Sequence, residues 1–102
     1  MAVYHIVLFK LKPNVSPEDA EKLKEAITNM AGKVPGLIRV DAAPPHISTA
    51  HRAQGFSMGL VAVLDSPETI KTYAEHPEHQ KVHKRRESMC DDTLAFDLEY
   101  DA

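Results

Sequence analysis

Cysteine is nearly absent from this sequence. Cys90 stands alone, so no disulfide can form within the chain, and a reducing compartment fits that usage. Nothing around Cys90 marks it as a nucleophile, and a partly buried structural thiol is expected there. Glycine is also scarce. Its four copies are scattered and form no phosphate-cradling loop, so no nucleotide or flavin cofactor is expected. Positive charge is not in excess: twelve Lys and Arg oppose fifteen Asp and Glu, for a net charge of −3. Nucleic acid is therefore not an expected partner, because phosphate binding needs a basic surface. No apolar run approaches transmembrane length, which excludes a spanning helix. The start, Met1-Ala2-Val3-Tyr4-His5, has no basic region ahead of an apolar core, so no signal peptide is read there and a soluble, cytoplasmic protein is expected.

What is present is an ordinary globular mixture, 43% hydrophobic and 26% charged, over 102 residues. That length suits a single domain, residues 1–102, with one modest core. Val3 to Leu11 reads as a strand. Val3, His5, Val7, Phe9 and Leu11 share one face, while Tyr4, Ile6, Leu8 and Lys10 share the other. Both faces are largely apolar, as in a central strand covered on both sides. Ser16-Pro17-Glu18-Asp19 then opens a helix: Ser16 caps, Pro17 suits the first helical position, and the acids favour the positive dipole end. Its apolar stripe runs through Ala20, Leu23, Ala26, Ile27 and Met30 to a stop at Gly32.

A short strand, Leu37 to Val40, precedes a long connection from Asp41 to Gln54, in which Pro44-Pro45 forbids regular structure. His46, His51 and Arg52 lie in that loop and are expected to be solvent-exposed rather than catalytic. Phe56 to Leu64 alternates as a third strand. Asp65-Ser66-Pro67-Glu68 repeats the helix-start pattern, and Ile70, Tyr73 and Ala74 form the stripe that follows. Pro77 bends the chain at His76 and starts a new helix running to about Met89. Within it, the basic run Lys81 to Arg86 reads as a solvated helix face. Thr93 to Tyr100 is the last strand, with Leu94, Phe96, Leu98 and Tyr100 on a face expected to be buried.

Strand, helix, strand, strand, broken helix, strand is the order of an α+β, ferredoxin-like protomer: a four-stranded antiparallel sheet with helices on one face. The first and third strands are apolar on the opposite face as well. A lone protomer would leave that face bare, so a homodimer closing sheet against sheet, an α/β barrel, is expected.

The densest chemistry sits in Tyr73-Ala74-Glu75-His76-Pro77-Glu78-His79. On one continuous helix, Tyr73 and His79 would point about 240° apart at about 100° per residue, so only the Pro77 break lets them converge. His76, extended before proline, is expected to cap the second helix rather than to react. Tyr73 also sits on an apolar stripe, where a core aromatic is the simpler reading.

His5-Ile6-Val7-Leu8-Phe9-Lys10, Pro67-Glu68-Thr69-Ile70 and Tyr73-x-x-His76-Pro77-x-His79 together resemble the stress-responsive dimeric α/β-barrel (Dabb) family across essentially the whole chain. The resemblance implies a homodimeric barrel with a pocket between sheet and helices in each protomer, holding a small, apolar, carbonyl-containing ligand. It implies cofactor-independent, polyketide-cyclase-like aldol cyclisation, or a related lyase step, with His79 and Tyr73 as the catalytic residues. His79 would be the general base and Tyr73 the hydrogen-bond donor. It further implies that His5, Val7, Phe9, Leu23, Ile27 and Leu60 bind substrate. The family's cyclase carries large aromatics on its first helix, where this chain has Leu23, Lys24, Ile27 and Thr28, so a pocket of different shape is implied. The alternative is a non-catalytic, stress-associated dimeric module or small-molecule binder.

These roles are chemically reasonable. A histidine titrating near neutrality suits removal of a proton alpha to a carbonyl, and a phenol suits the enolate oxygen that results. His79 and His83, four apart on a helix, also have the spacing of a metal pair. The zinc-protease pattern is absent, however, and Lys81, Lys84, Arg85 and Arg86 would oppose a cation, so no metal site is assigned.

Overall fold

A computed structural model describes residues 1–101. Strand β1 (Ala2–Leu11) leads to helix α1 (Pro17–Thr28), strand β2 (Leu37–Ala43), a short 3₁₀ turn (Ala50–Arg52) and strand β3 (Met58–Leu64). Helices α2 (Thr69–Glu75) and α3 (Pro77–Met89) follow, and strand β4 (Cys90–Tyr100) ends the described chain. The four strands form one antiparallel sheet in the order β2-β3-β1-β4. The fold is α+β and ferredoxin-like.

Local chemistry explains the helix starts. The Ser16 hydroxyl accepts from the Asp19 amide at 3.1 Å, with Pro17 in the first turn where a missing N–H costs nothing. His76 does the same work for α3. Its backbone is extended (φ −66°, ψ 138°), and its Nδ1 accepts from the Glu78 amide at 3.1 Å. The histidine thus ends α2 and caps α3, and Pro77 follows as the first residue of the new helix.

Some boundaries differ from the sequence expectation. β2 runs on through Ala43, because Asp41, Ala42 and Ala43 find partners on β3 before Pro44 stops the ladder. β3 starts at Met58, although the Ser57 amide already donates to the Phe9 carbonyl at 2.8 Å. β4 starts directly after α3 at Cys90, and the sheet pairing is irregular between Lys10 and Leu11 where it does so.

The core lies between the helices and one sheet face. Val7, Phe9, Val40, Ala42, Leu60, Ala62 and Leu64 meet Leu23, Ile27, Met30, Tyr73 and Val82 there. Each fully buried aliphatic or aromatic side chain stabilises the fold by about 1.5–3 kcal/mol. Truncating one, such as Leu23→Ala, would cost about 2–5 kcal/mol through lost transfer energy and the cavity left behind.

β4 corrects one expectation. Its apolar residues are not buried in the protomer: Leu94, Phe96 and Leu98 are 52%, 60% and 38% exposed. Register explains this. Leu94, Phe96 and Leu98 pair with Leu8, Ile6 and Tyr4, which all face away from the helices. Tyr100 stacks on Tyr4 on the same side, ring centroids 4.0 Å apart. With Val61 of β3 these residues make a continuous apolar surface on the open face of the sheet.

Candidate active site

β4 is one of the sheet's two outer strands, and the helix layer does not close over its inner side. There a cleft of about 210 Å³ opens between β1, β4, α2 and α3. Val7, Phe9, Leu60, Val82 and Ala95 supply its apolar surface, and His5, Tyr73, His79, His83 and Arg86 its polar groups. A larger apolar groove of about 340 Å³ lies on the open face, between the sheet and the loop after β2. Its only ionisable lining residue is Asp41, so it offers no acid–base pair. Chemistry therefore favours the smaller cleft.

The bend at Pro77 brings the aromatic rings together. Tyr73, in α2, and His79, in the first turns of α3, have ring centroids 4.5 Å apart. His5 reaches the same point from β1, its centroid 5.1 Å from that of Tyr73 and nearly edge-on. His5 Nδ1 donates to Asp97 Oδ1, directly across the β1–β4 pair. A carboxylate can only accept, so His5 Nδ1 carries the hydrogen and Nε2 is left facing away from Asp97.

His79 is held in the same way. Its Nδ1–H donates to the Ala74 carbonyl at 3.1 Å, leaving the Nε2 lone pair free to accept a proton. Burial pushes the His79 pKa down from 6.5, and the positive charge of Arg86, with that of His83 and His5 whenever they are protonated, pushes in the same direction. The Ala74 hydrogen bond works against that shift. The imidazole is thus neutral at pH 7 and competent as a base. Burial also raises the Tyr73 pKa to about 12, against the opposing field of Arg86. Tyr73 therefore keeps its proton near neutral pH and is competent as a donor. Its hydroxyl bonds to no other described residue, and no buried polar side-chain atom among the described residues lacks a partner. The hydroxyl accordingly opens on the cleft rather than serving a core hydrogen bond.

Val7, Phe9 and Leu60 line the cleft, but Leu23 and Ile27 do not. Both are fully buried, because these aliphatic side chains pack flush into the core between α1 and the sheet. No side chain of α1 is left to reach into the cleft.

Two polar lining residues carry no signal in the sequence beyond a surface run and a metal-pair spacing. His83 and Arg86 are both half-buried. They follow His79 at helical spacing, and with Val82 they form one stripe of α3 turned toward β1. That spacing is the available signal, masked by the exposed Lys81, Lys84 and Arg85 between them. Arg86 lies over the Phe9 ring at 5.6 Å. It also donates from Nη2 to His83 Nδ1 at 2.5 Å, while His83 Nε2 pairs with Glu87 at 2.7 Å. Both His83 nitrogens are engaged, so the His79–His83 spacing does not translate into a free chelating pair. His46 stays in the exposed loop with Ser48 as its partner, and His51 and Arg52 are exposed as well.

A ferredoxin-like protomer with a cleft between its sheet and helices is the class that these observations define. The chain belongs to the Stress responsive A/B Barrel Domain family, whose profile matches residues 3–100. It is 38% identical over 101 residues to a stress-response A/B barrel domain-containing protein of Arabidopsis thaliana, covering 93% of this chain and 35% of that protein. The chain thus spans about a third of that relative's length. It is 24% identical over 97 residues to olivetolic acid cyclase of Cannabis sativa, covering 95% of each. Among solved structures, a dimeric ferredoxin-like protein of unknown function from Bacteroides fragilis superimposes with a TM-score of 0.81 at 26% identity, covering 97% of this chain and 96% of that one. Among the described residues, no helix is long and apolar enough to cross a membrane.

Proposed function

We propose that this protein is a cofactor-independent enzyme acting on a small carbonyl-rich molecule, by aldol-type cyclisation or a related lyase step, as a homodimer. One observation carries the reading: a base with a committed tautomer, His79, lies beside a protonated phenol with a free hydroxyl, Tyr73, in a cleft with an apolar floor of Val7, Phe9 and Leu60. His79 Nε2 removes a proton alpha to a carbonyl, and the electron pair left behind passes to the carbonyl oxygen. The Tyr73 hydroxyl donates to that enolate oxygen. The enolate carbon then attacks a second carbonyl carbon of the same molecule, forming the C–C bond. The alkoxide produced takes the proton back from the His79 imidazolium. His5, steadied by Asp97, positions the substrate, and Val7, Phe9 and Leu60 hold its apolar part.

The likeness to a relative named olivetolic acid cyclase over nearly all of both chains supports a cyclase. Two features support the dimer: the open apolar face and the structural neighbours described as dimeric. Purified protein given reactive poly-β-keto substrates should change the product distribution, and His79→Ala should remove that change while the fold stays intact. An identical product pattern with and without wild-type protein counts against the enzyme. A second reading, a non-catalytic stress-associated binding module, draws on the resemblance to the longer stress-response proteins. The unpartnered Tyr73 hydroxyl weighs against it, since a purely structural tyrosine would be satisfied by protein groups.

A further inference from the structure

We propose that the cleft selects a ligand carrying a carboxylate, and that Arg86 is the residue that reads it. The inference rests on the catalytic reading above only for the placement of the reacting carbonyl. Arg86 is half-buried, yet among the described residues no carboxylate lies within 4 Å of its guanidinium. Its neighbours are a π-face and a neutral ring: Phe9 beneath it, and His83 Nδ1 accepting from Nη2. The second contact uses one N–H of five and, with Glu87 bracing His83 from behind, fixes the plane of the fork. The remaining donors are free for a planar anion, which a guanidinium binds through two parallel hydrogen bonds. A cation held half out of water without a counter-ion is costly unless a ligand supplies one.

The cleft is also polarised along its length. Asp97 pairs with His5, whereas Arg86 stacks over Phe9. These β1 positions are four residues, or about 13 Å, apart along the strand. Among the described residues no carboxylate lines the cleft, and Glu87, Asp91 and Asp92 lie with Arg86 in the adjoining hollow rather than in the cleft, so an anionic group inside it is drawn to the Arg86 end. A ligand with a carboxylate at one end therefore enters in one orientation. Its carbonyl then falls toward Tyr73 and His79, between the two poles. The substrate class is a keto acid rather than a neutral polyketone.

The test compares a stable keto acid, benzoylpropionate, with its methyl ester, by calorimetric titration of the purified full chain at low salt. The acid should bind at least tenfold more tightly than the ester, and raising the salt to molar strength should shrink that ratio. Arg86→Met, which keeps the apolar stem over Phe9, should abolish the ratio, and Arg86→Lys should restore part of it. Equal binding of acid and ester to wild-type protein, binding of neither, or a ratio that survives in Arg86→Met would overturn the proposal. Deuterium exchange at the ketone's alpha carbon separates the two ideas. His79-dependent exchange of the ester without acid selectivity leaves the catalytic reading standing alone. Acid selectivity through Arg86, with no exchange in either compound, leaves a carboxylate-binding cleft without that chemistry.

Discussion

Tyr73 and His79 approach to 4.5 Å between ring centroids although they belong to two different helices. The relationship is created by the break between α2 and α3. His76 ends one helix, Pro77 begins the next, and the change of direction lets two side chains face one cleft that a straight helix would have turned apart.

His79 should behave as an acid-sensitive group in both catalysis and folding. Its pKa is depressed in the fold, chiefly by burial, so the folded state binds its proton less readily than the unfolded chain does. Its contribution to stability is therefore fully present above about pH 6.5 and declines as pH falls toward the lower folded value. Activity should fall along the same acid limb as the base is protonated. Thermal unfolding of wild type and His79→Gln from pH 7.5 to about 4.5 should show the wild type losing stability relative to the variant on acidification. Parallel curves would contradict this.

Tyr73→Phe should keep the fold and lose the chemistry. The ring stays buried, and no protein hydrogen bond is removed with the hydroxyl, so the melting temperature should move by no more than about 2–4 °C. Turnover should drop by about a hundredfold or more, the usual effect of losing one donor to a developing oxyanion. Because the phenol pKa is raised to about 12, wild-type activity should show no alkaline limb from Tyr73 below pH 10. An alkaline limb near neutrality that disappears in Tyr73→Phe would contradict this role.

His76→Ala should weaken α3 at its first turn. The Nδ1 cap on the Glu78 amide is lost, which costs about 1 kcal/mol by analogy with other side-chain caps. Urea unfolding should register the change as a lower midpoint with an unaltered slope. A midpoint equal to that of wild type would show that the cap contributes nothing.

Phe96→Glu should separate the protomers. Phe96 is 60% exposed in the centre of the apolar open face, where a charge would be desolvated on pairing. Light scattering after size exclusion should give the mass of a dimer for wild type and of an 11.3 kDa monomer for the variant. A wild-type monomer, or a variant that still dimerises with the same affinity, would remove this face from the interface.

Much of the architecture is legible in the residues. Alternation in β1 and β3, the Ser16-Pro17 and His76-Pro77 starts, and the apolar stripe of α1 define elements and order, because each signal is local. The convergence of His5, Tyr73 and His79 follows from the Pro77 break together with the family resemblance. What the sequence hides is non-local. The side on which Leu94, Phe96 and Leu98 lie depends on pairing with β1, not on their own alternation. Leu23 and Ile27, expected in the pocket from the family resemblance, instead complete the core as aliphatics. Arg86 looks like one cation in a wet run until β1 places Phe9 beneath it.

The stripe His79, Val82, His83, Arg86 has a consequence for how such a protein changes. On the proposed reading, the base His79 and the carboxylate-reading Arg86 occupy different turns of α3, one near the bend and the other further along. A mutation in the later turns can retune which molecules are admitted without rebuilding the machinery beside Pro77. If those roles hold, the helix is in that sense modular, and a change of substrate would need only single codon changes at its far end.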